Sequence, residues 1–112
     1  MPKKYEVLLT ETFKRRYQKI KNGKQKEIIL KFFDKLRDKG TNAIKILYLV
    51  ENYILGEMKS YEPPYRLYVV LDQEDSKFYI IDWEHKNRQQ QIIVRLKSKL
   101  KTAIKIGLEA VF

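Results

Sequence analysis

The first forty residues predict a short strand followed by two helices. Residues 5–9 are apolar enough for a strand, and Thr10 is in position to cap the helix that follows. That helix carries one apolar face at helical spacing, formed by Phe13, Tyr17 and Ile20. A second amphipathic helix is predicted over residues 24–39, with Gly40 as its stop. Because the break at residues 22–23 is short, we expect an antiparallel helical hairpin.

The hydrophobic pattern changes after Gly40. Three segments rich in β-branched and aromatic residues follow, and short turns separate them: 53–61, 65–71 and 77–83. They predict a three-stranded antiparallel meander. Residues 41–51 contain apolar positions without a clear period and are left unassigned. After residue 84 a helical stripe returns, formed by Ile92, Ile93, Leu96, Leu100, Ala103 and Ile104.

The predicted order β-α-α-β-β-β-α is typical of an α+β fold. We expect a small antiparallel sheet on which the N-terminal helical hairpin and the C-terminal helix pack, with residues 1–112 forming one domain. No apolar run approaches the roughly 20 residues that span a bilayer, and the first residues lack the apolar region of a signal peptide. The expected location is therefore the cytoplasm, without membrane attachment.

The amino-acid composition limits the kinds of active site that the chain can form. The chain has no cysteine, which excludes disulfides and thiolate zinc sites, and its one histidine, His85, makes other zinc sites improbable on sequence grounds. The four glycines are isolated, so no phosphate-binding loop is predicted. We expect neither a metal nor a cofactor.

The charge balance favours a polyanionic partner. Lysine and arginine total 24 against 14 acidic residues, a net charge of +10. The excess is concentrated in two stretches without an acid, residues 12–26 and 86–105. The alternative interpretation is that these stretches are solvated helix faces.

The candidate chemical residues lie in the second half of the chain. Glu57 and Lys59 are two apart on a predicted strand and share a face, which we expect to be uncovered or to line a groove. Arg66 lies inside an apolar strand, where it is costly unless it is paired or binds an anion. One alternative is that Arg66 simply forms an ion pair with Glu57.

His85, Lys86 and Arg88 follow the last strand, where a loop would bring them to the sheet edge. Cationic groups beside one carboxylate and one imidazole suit cleavage of RNA by its own 2′-hydroxyl. The cations would stabilise the phosphorane, and the carboxylate or imidazole would transfer protons. An ordinary surface histidine beside charges is the alternative.

The hairpin register decides whether these groups meet. If Lys59 lies opposite Arg66, then Glu57, Lys59 and Arg66 share a face. A tighter turn that pairs Tyr61 with Tyr65 would turn Arg66 to the other face. Both registers are compatible with the sequence.

At this point the chain resembles the RelE/ParE toxin superfamily. The resemblance rests on the order of three segments: 54–59 (ILGEMK), 65–70 (YRLYVV) and 78–88 (FYIIDWEHKNR). Lys59 stands where the family often has arginine, and isoleucines stand at 92 and 93 where a tyrosine often follows the basic segment. The last helix is also long for the family. The similarity extends from residue 5 to about residue 100.

The resemblance implies a toxin of a type II toxin–antitoxin pair. The RelE branch cuts mRNA in the ribosome, whereas the ParE branch inhibits DNA gyrase. By position, Arg66 and Lys59 would bind the scissile phosphate, and Glu57 or His85 would act in acid–base chemistry. Lys86 and Arg88 match the basic pair of the family, and Arg95 on the last helix is added to this phosphate-binding set.

Three functions follow as hypotheses. The first is a ribosome-dependent mRNA endonuclease, the second a toxin acting on a protein such as gyrase, and the third an inactive basic nucleic-acid-binding module on the same scaffold. The expected partners are a cognate antitoxin, the ribosome and mRNA.

Overall fold

A computed structural model describes residues 4–112 of the chain; residues 1–3, part of the start expected to lack a signal peptide, lie outside it. The strands are β1 (Glu6–Leu9), β2 (Lys45–Val50), β3 (Tyr53–Lys59), β4 (Tyr65–Asp72) and β5 (Lys77–His85). The helices are α1 (Glu11–Lys19), α2 (Gly23–Lys39), α3 (Gln89–Ile106) and the short α4 (Leu108–Val111). Single 3₁₀ turns occupy Gly40–Ala43 and Lys86–Arg88. The α+β class is confirmed.

The strands form one five-stranded sheet in the order β1-β5-β4-β3-β2. The predicted meander forms β3, β4 and β5, which pair antiparallel, while β1 joins β5 in parallel. The segment left unassigned supplies β2, an edge strand antiparallel to β3. Its register shifts between Ile46 and Tyr48, which breaks the alternation that would have identified it.

The helical hairpin forms for the reasons that the sequence suggested. Thr10 caps α1, its Oγ1 accepting from the Phe13 amide at 3.3 Å. Asn22 belongs to the second helix rather than to the end of the first, because its Oδ1 accepts from the Lys24 amide at 2.9 Å. Gly40 ends α2 with φ of 57°, and an added Cβ there would meet the ring of Tyr5.

The sheet has a hydrophobic core on each face. Helices α1 and α2 cover one face, which we call the hairpin face, with Phe13, Ile29 and Leu36 fully buried. The C-terminal helices cover the other, which we call the α3 face, where Ile92, Leu96 and Leu100 pack on β3, β4 and β5. The C-terminal helices thus cover the central part of this sheet face.

The C-terminal residue is hydrogen-bonded to the start of α1. The Phe112 carbonyl accepts from the Thr12 amide at 2.8 Å and from its hydroxyl at 2.7 Å. Within residues 4–112, no helix has the length and apolar character needed to cross a bilayer.

Candidate functional site

Six polar side chains lie in two rows across the central strands on the α3 face. One row is Glu57, Tyr68 and Asp82, which are direct cross-strand neighbours on β3, β4 and β5. The other, two residues further along each strand, is Lys59, Arg66 and Glu84. Lys59 therefore lies opposite Arg66, so of the two registers compatible with the sequence the structure has the one that brings Glu57, Lys59 and Arg66 to one face.

Glu57 is nearly inaccessible, at 1% exposure. Its two carboxylate oxygens both accept from Nε2 of Gln89, at 3.1 and 3.0 Å. Gln89 is the first residue of α3, so the start of this helix lies over the carboxylate. The expectation of an uncovered face is wrong for Glu57, because the long C-terminal helix packs there, whereas Lys59 on the same strand is exposed.

Tyr68, beside Glu57, has a buried hydroxyl that finds no hydrogen-bond partner among the described residues. Burial raises the pKa of this phenol well above its usual value, and the neighbouring Glu57 charge raises the pKa further. The hydroxyl remains neutral and is available as a donor to whatever enters the rows.

Arg66 is held by backbone carbonyls rather than by a carboxylate. Its Nη1 donates to the Ser60 oxygen at 3.2 Å and to the Tyr65 oxygen at 3.1 Å, and its buried Nε has no partner. Among residues 4–112, neither Arg66 nor the exposed Lys59 forms an ion pair with a carboxylate. The alternative pairing of Arg66 with Glu57 does not occur, so two neighbouring cations are left without an anion.

Asp82 and Glu84, at 3% and 5% exposure, are surrounded by three arginines. Arg16 from α1 contacts both, with Nε 3.4 Å from Asp82 Oδ1 and Nη2 in contact with Glu84 Oε1. Arg95 Nη2 lies 3.4 Å from Asp82 Oδ2, and Arg88 Nη1 lies 3.6 Å from Glu84 Oε2. Three cations against two anions keep this part of the site positive.

His85 lies on the opposite face of the sheet. Strand β5 continues to His85 instead of ending in a loop, so this residue follows the parity of Trp83 and lies on the hairpin face. Its Nδ1 accepts from the Asn87 amide at 3.1 Å, and its ring lies edge-on to Tyr65. Lys86 is exposed in the 3₁₀ turn that follows.

The seven predicted residues therefore separate. Glu57, Lys59 and Arg66 lie together, and Arg88 and Arg95 border them through the sheet carboxylates. Lys86 is exposed in the turn after β5, and His85 faces away. Sequence reasoning missed Arg16 and Gln89. The alternation of Asp82 and Glu84 in an apolar strand signals a need for cations, but no sequence feature identifies residue 16 as one of them. No three His, Asp or Glu side chains between residues 4 and 112 could hold a metal ion together.

No protein-family model matches the sequence, and no curated protein matches it. Several solved structures have a similar fold. The archaeal RelE–RelB complex from Pyrococcus horikoshii superposes with a TM-score of 0.62 at 15% identity, covering 77% of this chain and 99% of that one. The RelBE2 toxin–antitoxin complex of Mycobacterium tuberculosis gives 0.58 at 21% identity, covering 75% and 100%. The isolated E. coli RelE toxin gives 0.55 at 17% identity, covering 82% and 98%. These likenesses are at the level of the fold.

Proposed function

We propose that this chain, which has the fold of the RelE toxins, is itself a toxin that cleaves mRNA at the ribosome. The observation that carries the proposal is the cross-strand pair of Lys59 and Arg66, two cations without a carboxylate partner beside the carboxylate of Glu57. An arrangement of this kind fits one phosphodiester with a base next to it.

The proposed reaction uses the 2′-hydroxyl of the RNA as the nucleophile. Glu57 accepts the proton of this hydroxyl, whose oxygen attacks the phosphorus and displaces the 5′-oxygen, leaving a 2′,3′-cyclic phosphate. Arg66 and Lys59 bind the non-bridging oxygens, where negative charge develops. The Lys59 ammonium is also the donor for the leaving oxygen, because His85 lies on the other face of the sheet.

The proposed reaction requires that the RNA reach the buried carboxylate of Glu57. Glu57 and Arg66 are 1% and 8% exposed beneath the start of α3, so RNA can reach Lys59 but not Glu57 while the helix is docked. The cleaving form therefore has the first turns of α3 lifted from the rows. Arg88 and Arg95, freed from Glu84 and Asp82, would then join exposed Lys86 in binding the RNA backbone.

The neighbours also suggest a partner. Two of the similar structures are complexes of a toxin with its antitoxin. We propose that this chain is likewise neutralised by a cognate antitoxin, and that both act in the cytoplasm, where ribosomes are found.

The burial of Glu57 favours a second candidate. If α3 stays docked, the chain is a toxin without nuclease activity, acting on a protein such as DNA gyrase, or a basic module that only binds nucleic acid.

Induced expression in a bacterial host, followed by primer extension on abundant mRNAs, tests the proposal. Wild-type protein is compared with Arg66→Ala and with Arg37→Ala, a matched control on the exposed surface of α2. We expect growth arrest with mRNA cuts in the wild type and the control, and neither in Arg66→Ala. Arrest without cuts in the wild type would point to a protein target, and no arrest would leave a binding module.

A further inference from the structure

A cleft on the hairpin face is not used by the proposed reaction. It has a volume of about 430 Å³, within the range of about 300–1,000 Å³ typical of small-ligand sites. It lies between the α1–α2 loop and the ends of β4 and β5. Its lining includes Arg16, Lys19, Lys21, Tyr65, Trp83 and His85.

One wall of the cleft is a fixed set of rings. Tyr65 stacks on Trp83 with 5.1 Å between centroids and 8° between planes, and the His85 ring meets Tyr65 edge-on at 5.3 Å. The indole Nε1 donates to Gln25 Oε1 at 2.9 Å, which fixes the orientation of Trp83. Trp83 is buried, so the ring surface open to the cleft belongs to Tyr65 and His85.

The opposite wall is cationic. Lys19 and Lys21 are exposed and form no ion pair within residues 4–112, while Arg16 is engaged with Asp82 and Glu84. An aromatic wall facing unpaired cations is the combination that holds single-stranded nucleic acid, because a base stacks on a ring while its phosphate meets a cation.

We propose that this cleft binds one nucleotide of a single-stranded RNA, with the base against Tyr65 and His85 and the phosphate at Lys19 and Lys21. This inference rests on the proposed function, since it extends the substrate path of the same enzyme. Glu84 lines the cleft and is also the β5 member of the row that contains Lys59 and Arg66, and Arg16, which contacts Glu84, lines the cleft as well. The cleft therefore lies at the sheet end that carries Lys59 and Arg66. The cleft holds the strand beside the phosphate that is cut.

The position of Trp83 provides a direct probe, because it is the only tryptophan of the chain. A short single-stranded RNA with 2′-O-methyl riboses, which cannot be cleaved, is titrated into the purified protein. We expect saturable quenching of tryptophan emission, together with a rise in the anisotropy of a labelled RNA. Anisotropy that rises without any change in emission would place the RNA elsewhere and overturn the proposal.

Two double variants distinguish RNA binding in this cleft from nonspecific attraction of RNA to a basic protein. The double variant Lys19→Ala/Lys21→Ala is compared with Lys31→Ala/Lys39→Ala, which removes the same charge from exposed positions on α2. We expect the first to weaken binding about tenfold more than the second and to reduce the salt slope by about 0.7, the contribution of the one phosphate that the two lysines neutralise together. Equal effects of the two double variants would contradict the proposal.

Tyr65→Phe keeps the ring and is expected to bind RNA as the wild type does, whereas Tyr65→Leu is expected to bind about tenfold more weakly. Quenching by the RNA in a wild-type protein that cuts no mRNA would reject the proposed function and retain the cleft. An acidic peptide that competes as well as the RNA at equal charge would instead identify the cleft as a protein-binding site and overturn the inference.

Discussion

Substitutions of single residues on the α3 face can change catalysis without lowering stability. Glu57 is a buried carboxylate whose partner is a neutral amide, so its charge is held at a cost in solvation. Tyr68, next to it, buries a hydroxyl without a partner. A buried charge with a neutral partner and a buried hydroxyl without a partner do not stabilise a fold.

Glu57→Gln is expected to abolish cleavage while leaving the protein at least as stable. The amide fills the same space beside Gln89 and removes a buried charge, but it cannot accept the 2′-hydroxyl proton. We expect the cleavage rate to fall about 100-fold or more, the usual loss for a general base. Rates on ribosome-bound mRNA and thermal melting check this, with the exposed Glu62→Gln as the control. Unchanged cleavage would remove Glu57 from the mechanism.

Tyr68→Phe is expected to raise the free energy of unfolding by about 1 kcal/mol, because it deletes a buried hydroxyl without a partner. The effect depends on pH. The folded-state pKa of Tyr68 is raised above its ordinary value of 10.0, so its neutral form favours the folded state below that pH, and the benefit is lost as the pH rises through the folded pKa. Between about pH 9 and pH 11 the unfolded state gains from ionisation. Urea titrations should show a stability that changes differently with pH in the variant, which lacks this group; identical profiles would contradict the assignment.

At the scale of elements, the sequence was sufficient to predict α1, α2 and α3, the three strands of the meander, and the roles of Thr10 at the start of α1 and Gly40 at the end of α2. It failed for β2, whose bulge interrupts the alternation between Ile46 and Tyr48. The hydrophobic pattern also failed to predict on which face of the sheet His85 lies and whether Glu57 is buried. Whether β5 ends at Trp83 or continues to His85 decides on which side that histidine lies, and only the packing of the strand end determines this. The burial of Glu57 likewise depends on where α3 docks, which involves contacts between distant parts of the chain.

Loosening the start of α3 is expected to increase cleavage. Ile92, at 1% exposure, packs in the core under this helix, and Ile92→Val should cost about 0.5–1.5 kcal/mol of that packing. The lifted form should then be populated roughly twofold to tenfold more, with faster hydrogen exchange in the first turns of α3. Ile29→Val makes the same change in the core of the hairpin face and should leave cleavage unchanged. Equal cleavage by both variants would argue against a lifting step.

At the scale of the whole molecule, charge is divided between the two ends of the sheet. The turn between β4 and β5 carries Asp72, Glu74 and Asp75. Burial raises the pKa of Tyr53, and these nearby acids raise that pKa further. Lys59, Lys86 and Arg88 lie at the other end, where β3 and β5 finish. A net charge of +10, with these three acids far from Lys59 and Arg66, orients a polyanion towards the basic end.

The effect of this charge distribution on RNA association can be measured. Lys86→Ala removes a charge at the basic end and is expected to slow RNA association and reduce the salt slope by about 0.7 for a single strand. Lys77→Ala removes the same charge at the end of the sheet that carries Asp72, its cross-strand neighbour. Stopped-flow association at several salt concentrations should show a clear effect for the first variant and little for the second. Equal effects would mean that only the net charge matters.

The most direct test of the central claim is the chemistry of the cut. Purified protein is incubated with programmed ribosomes and an mRNA, and the new 3′ ends are analysed beside an mRNA with a single 2′-deoxy substitution at the cleaved nucleotide. We predict ends carrying a 2′,3′-cyclic phosphate, no cut at the 2′-deoxy position, and no cut by Arg66→Ala. Cleavage that persists at the 2′-deoxy nucleotide, or with Arg66 replaced, would contradict the account.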